Sequence, residues 1–235
     1  MSALSSDQET TPGDTLLAWL ASLPAAARDP AFDAHLGLEQ PFASADVPPG
    51  AQLIGYHASG IAPIVRALLE VPVTSQDVFI DIGSGLGKVT FLARLLTGAT
   101  ARGIEIQPSL VLQARAAAQR LGVAVEYIEC DARAAKLDDG TVFYLYAPVH
   151  GVALNELLAR LHGVARQHAI VVCALGIDLD HGDAAPWLIA RNIESFWLAV
   201  YDSVVPGVPA RVSTPGSWAG EDAKVVGFEA PVKRA

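Results

Sequence analysis

The chain is poor in sulfur, with two cysteines and one methionine among 235 residues. Two cysteines cannot build a disulfide scaffold. Cys130 and Cys173 both stand in apolar, strand-like runs and read as buried thiols of a reducing compartment. Basic residues are scarce as well: sixteen Lys and Arg face twenty-five Asp and Glu, giving a net charge of −9 and a pI near 5.0. That balance argues against an extensive phosphate-neutralising surface, and so against stable nucleic-acid binding through the whole domain. Long apolar runs are missing too. Although mean hydropathy is +0.35, stretches such as Leu16 to Leu23 and Ile170 to Leu175 fall well short of the roughly 20 residues that a membrane span needs. Met1 to Asp14 lacks the basic and apolar regions of a signal peptide. With no internal repeat and no heptad pattern, the expectation is a cytoplasmic globular protein without a membrane span.

What is present is a core. Hydrophobic residues make up 51% and charged residues 17%, enough apolar surface for one large domain. Residues 1 to 50 read as an N-terminal lead-in. Its first 13 residues lack apolar periodicity and are expected to be mobile. A short helix then runs through Leu16, Leu17, Trp19, Leu20 and Leu23, started by Asp14 or Thr15 and stopped by Pro24. Pro24, Pro30, Pro41, Pro48 and Pro49 predict an irregular stretch up to residue 50. The main domain is residues 51 to 235, opened by a helix through Ile61, Ile64, Val65, Leu68 and Leu69 that Ser59 could cap.

From Asp77 on, strand-like and helix-like segments alternate. Strands are predicted at Val78–Ile82, Ala101–Glu105, Val125–Cys130, Val142–Tyr146 and Ala169–Ala174. Helical patterns fill the intervals at Leu86–Leu96, Ser109–Leu121 and Val152–Leu161. Continuous apolar strands separated by amphipathic helices mean βαβ units and a parallel sheet covered on both faces. A helix around Ala185–Ala190 is followed by strand candidates at Phe196–Val204 and Lys224–Glu229, which suggest a terminal antiparallel hairpin. The predicted fold is α/β, Rossmann-like and doubly wound, with a mostly parallel sheet and a C-terminal antiparallel hairpin.

The most informative stretch is Phe79-Ile80-Asp81-Ile82-Gly83-Ser84-Gly85-Leu86-Gly87-Lys88, where a buried strand gives way to a helix. Glycines there permit a tight turn and close approach of backbone to ligand, ahead of a helix with free N–H groups. The glycine pattern is G-x-G-x-G. A nicotinamide-dependent oxidoreductase would place glycine at position 88, where lysine stands. Asp81, two residues before the first glycine, suits a cationic or hydroxyl-bearing ligand and would repel a pyrophosphate. Glu105 ends the next strand 24 residues later, near the offset at which an acid meets a ribose diol. Asp131 follows the third strand. Singly, these acids could be a turn former, a solvated strand end and a helix cap. All three at the carboxyl ends of successive strands, where open α/β sheets bind ligands, point to a site.

This set of residues resembles the cofactor site of class I S-adenosylmethionine-dependent methyltransferases over about residues 55 to 165. The resemblance implies S-adenosylmethionine as cofactor. It places Gly83, Ser84, Gly85 and Gly87 under the methionine part and Asp81 near its amino group. Glu105, with Ile106 beside it, would be at the ribose hydroxyls, and Asp131 with Ala132 at the adenine edge. The wording from Val78 to Val89 is further similar to Dot1-like lysine methyltransferases, and Tyr56 matches a tyrosine that related enzymes place in a segment closing over the cofactor. The chain lacks the basic tail of a chromatin enzyme.

In that superfamily the acceptor meets the methyl group near the end of the fourth strand. Here Ala147-Pro148-Val149 replaces the Asn or Asp followed by two prolines that many amino-group methyltransferases carry. Tyr146 and His150 are the polar catalytic candidates there, joined by Tyr56 and its neighbour His57. The acid-rich stretch Asp178 to Asp183 fails the calcium-loop template and reads as a cap for the helix near Ala185, so no metal is expected. The methyl acceptor is expected to be a protein side chain, lysine first, or a small molecule. A non-catalytic cofactor-binding module is a further alternative.

Overall fold

The structure is a computed structural model and describes residues 11–38, 58–146, 149–179 and 185–228. Two helices, α1 (Pro12–Ser22) and α2 (Ala25–Leu36), precede α3 (Ile61–Glu70). The alternating part is β1 (Val78–Ile82), α4 (Lys88–Thr97), β2 (Thr100–Glu105), α5 (Pro108–Leu121), β3 (Val125–Glu129), β4 (Val142–Tyr146), α6 (Gly151–Ala165) and β5 (Val171–Leu175). It closes with β6 (Leu188–Ala190), β7 (Leu198–Ser203) and α7 (Glu221–Gly227).

The seven strands form one sheet in the order β3-β2-β1-β4-β5-β7-β6. The first five are parallel, while β7 runs antiparallel to both β5 and β6. The order reverses between β1 and β4, so the crevice at the carboxyl ends of these two strands is the topological switch point where such sheets take ligands. Side chains alternate across the strands. Phe79, Val142, Tyr144, Val171 and Cys173 pack with α1 to α5 and α7 in one core. Ile80, Ile82, Phe143, Leu145 and Val172 pack with α6 in the other.

Four local expectations change. The first helix begins at Pro12 and is capped by Thr11, whose hydroxyl accepts the Asp14 N–H while the Asp14 carboxylate accepts the Thr11 N–H. The proline-rich stretch contains α2, with Pro30 inside it. Burial of Arg28, Phe32 and Leu36 along one face outweighs the lost hydrogen bond, and the Arg28 guanidinium donates to the Leu20 carbonyl at 2.8 Å. Near Ala185 the chain forms β6 instead of a helix, so the acid-rich stretch has no helix there to cap; its residues 180 to 184 lie outside the described ones. The hairpin partner of β7 is therefore β6, and Glu221–Gly227 is helical, with Ala223, Val226 and Gly227 buried at helical spacing. Among the described residues no helix is long and apolar enough to cross a membrane.

Candidate functional site

The turn after β1 uses its glycines in the left-handed region: Gly83, Gly85 and Gly87 have φ of 79°, 53° and 86°. The Gly83 and Ser84 N–H groups both donate to the Ile104 carbonyl, at 2.8 and 3.0 Å, which ties the turn to β2. At Gly87 the requirement is twofold. Besides its φ, a Cβ there would lie 2.2 Å from the Tyr127 hydroxyl oxygen. That hydroxyl is 2.8 Å from Thr90 Oγ1, which donates to the Gly87 carbonyl at 2.7 Å. The first turn of α4 is thereby locked against β3.

The three acids sit differently. Asp81 is 2% exposed. Burial, and then the nearby charge of Glu105, push its carboxyl well above the usual carboxylate range. Among the described residues, its Oδ2 and the hydroxyl of Ser84 are buried without any hydrogen-bond partner. Glu105 is also buried, but both its oxygens are engaged: Oε2 accepts the Gly85 N–H at 2.9 Å and Oε1 the Gln107 N–H at 2.8 Å. Asp131 is half-buried and paired with Arg133 at 2.7 Å, and it also accepts the Arg133 backbone N–H at 2.8 Å. The Arg133 guanidinium holds the Asp131 carboxyl below its ordinary value. Ile106 and Ala132 flank these acids, both half-buried.

Ser59, Asp81, Gly83, Ser84, Lys88 and Tyr146 line one cavity. The structure thus brings Tyr146, delivered by β4, to the glycine turn delivered by β1. His150 is exposed as the N-cap of α6 and is not among the residues lining that cavity. Tyr56, His57, Ala147 and Pro148 lie outside the described residues. Ser59 does not cap α3. It lies 3.4 Å from the buried Tyr144 hydroxyl, and the α3 N-terminus is met by Asp29, whose carboxylate accepts the Ile61 N–H at 3.1 Å.

Sequence reasoning missed Asp29 and Asp33. Both are carried by α2, and both bind the 5%-exposed Lys88 ammonium, at 2.9 and 2.7 Å. Their i, i+4 spacing is the signal that could have found them, since it puts two carboxylates on one helix face. The arrangement is a polar cavity at the switch point, lined by the Asp81 carboxyl, the Ser84 hydroxyl and the Lys88 ammonium, with Glu105 bonded to the turn beside it. Such a lining can hold a ligand that carries an ammonium group and hydroxyls.

Residues 79–168 match the family described as a methyltransferase domain. No curated protein sequence matches the chain. Among solved structures, the chain is similar to an RNA methyltransferase from Salinibacter ruber in complex with S-adenosyl-L-homocysteine. Identity there is 29%, coverage is 67% of this chain and 100% of that one, and the TM-score is 0.49. It is also similar to a SAM-dependent methyltransferase from Aquifex aeolicus, at 14% identity, 61% and 89% coverage and a TM-score of 0.45.

Proposed function

We propose that this chain, in which residues 79–168 match a methyltransferase domain, is an S-adenosylmethionine-dependent methyltransferase that cradles its cofactor on the glycine turn and methylates a protein lysine side chain beside Tyr146. One observation carries the cofactor placement: Asp81 Oδ2 and Ser84 Oγ, which have no hydrogen-bond partner among the described residues. Buried polar atoms without partners are rare and costly. Here two of them lie on either side of Gly83, so a ligand with an ammonium group and hydrogen-bonding oxygens is the natural complement. Gly83, Gly85 and Gly87 let the backbone approach it. Each Glu105 oxygen uses one lone pair on a backbone N–H and keeps another for a ribose hydroxyl. Ile106 would stand beside Glu105 at the ribose, and Asp131 and Ala132 would face the adenine end.

When bound, the cofactor supplies an electrophilic methyl group on a sulfonium. The chain has to align a nucleophile in line with it, exclude water and leave the nucleophile with a free lone pair. Tyr146 lines the cavity and would orient the acceptor amine through its hydroxyl. His150, exposed at the head of α6, would take the proton that a lysine ammonium must lose. Lysine is the acceptor favoured by the Dot1-like wording of Val78 to Val89, and the net charge of −9 suits a basic protein. A small-molecule acceptor is the alternative.

Two measurements test the reading. Calorimetry with S-adenosyl-L-homocysteine should give an affinity that Glu105→Ala weakens by about 1.5–3 kcal/mol; an unchanged affinity removes Glu105 from the site. Labelled S-adenosylmethionine incubated with a cell extract should leave label that protease releases as methyl-lysine. Label released by nuclease would move the acceptor to RNA, and label in the small-molecule fraction would favour the alternative.

A further inference from the structure

The antiparallel end of the sheet brings a second feature to the edge that holds the glycine turn. Tyr146, the last residue of β4, pairs with Leu175, which pairs with Leu198, the first residue of β7. The residues just before β7 therefore stand at the carboxyl edge, two strands from the Tyr146 end of β4. Phe196 and Trp197 are 88% and 53% exposed there, with ring centroids 4.8 Å apart in an edge-on arrangement. The Trp197 carbonyl accepts the Gly176 N–H at 2.9 Å, and a Cβ on Gly176 would lie 3.4 Å from the Tyr146 ring. One residue thus separates the backbone of this aromatic pair from the acceptor-side tyrosine.

Single exposed apolar side chains need no explanation. Two adjacent aromatics on a braced turn do. The Ile193 N–H donates to the Arg191 carbonyl and the Ser195 N–H to the Ile193 carbonyl, both at 3.0 Å. Ser195 Oγ accepts the Leu198 N–H at 3.1 Å. The turn thus uses its own polar groups to brace the backbone that carries the rings, so a partner binding them has less backbone to order.

Charge indicates the partner. Over residues 176–179 and 192–198 the described chain carries Asp178 and Glu194, both exposed, and no Lys, Arg or His. Arg191, just before this turn, is held by Asp202 through two bonds of 2.7 Å. Carboxylates beside exposed aromatic faces attract ammonium and guanidinium groups and repel phosphodiesters. We infer that Glu194, Phe196 and Trp197 form a docking ledge for a lysine- and arginine-rich segment of the protein acceptor, next to the side chain presented to Tyr146. The inference rests on the protein-acceptor reading above and adds where the acceptor is gripped.

The test uses the full chain, a fluorescent peptide rich in lysine and arginine, and an oligoribonucleotide of the same length. Anisotropy should show the peptide binding, with an affinity that falls as salt rises. The double substitution Phe196→Ser with Trp197→Ser, and separately Glu194→Lys, should each weaken it by about tenfold or more. Melting temperature and affinity for S-adenosyl-L-homocysteine should stay unchanged, because these side chains are exposed and belong to neither the core nor the glycine turn. Peptide binding equal to wild type in both variants would overturn the ledge. So would an oligoribonucleotide that binds more tightly than the peptide. Failure of S-adenosyl-L-homocysteine to bind the wild type would instead strike the cofactor site, a separate readout. Peptide binding that depends on the ledge, without any methyl-lysine formed, would leave the ledge standing and remove lysine as acceptor.

Discussion

At Asp81 a carboxyl group is buried at the tip of β1 with the charge of Glu105 close by, and both raise its pKa well above the ordinary range. An acid that holds its proton more tightly in the folded chain contributes stability that is fully present below the unfolded value, near about 4. That stability is lost as pH rises through the folded value. At neutral pH Asp81 therefore weighs against the fold, and its retention makes sense if a cationic ligand needs the charge. Two outcomes follow for Asp81→Asn. Without ligand the variant should melt higher than wild type at neutral pH, and the gap should close as pH falls toward about 4. Wild-type affinity for S-adenosyl-L-homocysteine should rise with pH as Asp81 ionises, whereas the variant should bind weakly and with a flatter profile. A variant that melts lower at neutral pH, or that keeps the wild-type pH profile of binding, would show that Asp81 carries no such conflict.

Among the elements, the turn from β1 into α4 has least freedom to change. Gly87→Ala must place a Cβ at φ 86° and 2.2 Å from the Tyr127 hydroxyl oxygen. Left-handed strain and overpacking together predict a loss of about 2–5 kcal/mol, readable as a lower denaturation midpoint. Gly122→Ala is the control, because φ is 64° there but, among the described residues beyond its chain neighbours, nothing lies within 4 Å of the added Cβ; strain alone should cost less. Equal losses at the two positions would mean that Tyr127 moves aside freely. The same turn explains what could be read in advance. β1 to β5 and the glycine pattern were legible because a buried parallel strand is an apolar run and a left-handed turn needs glycine. β6 and α7 were not. Leu188–Ala190 is only three residues long, too short for any period. Val225, Val226 and Phe228 look like a strand until α3 is present to bury Ala223, Val226 and Gly227. The acids at the strand ends could be found by position, yet the Asp131–Arg133 pair and the bonds of Glu105 to Gly85 and Gln107 depend on how turns fold back.

Across the whole molecule, Lys88 joins the N-terminal helices to the site. Its ammonium is buried, binds Asp29 and Asp33 on α2, and lines the cavity with Asp81 and Ser84. Asp29 also receives the first N–H of α3, so α2, α3 and α4 meet at this cluster. Leu17, Leu20, Phe32 and Leu36 add α1 and α2 to the core on the same face of the sheet. Two forces could therefore hold α2 in place, apolar burial and the ion pairs, and they can be separated. Lys88→Met keeps the volume of the side chain and removes its charge, leaving Asp33, only 16% exposed, beside an apolar neighbour. Breaking a buried pair costs on the order of 3–5 kcal/mol; the lower end applies here because Asp29 is 43% exposed and can turn to water. If the ion pairs hold α2, hydrogen exchange over residues 25 to 36 should quicken in Lys88→Met while β1, β4 and β5 keep their protection. Affinity for S-adenosyl-L-homocysteine should fall with it, since the cavity wall moves with α2. Exchange that is unchanged over α2 would mean that apolar burial alone holds it and that Lys88 serves only the head of α4.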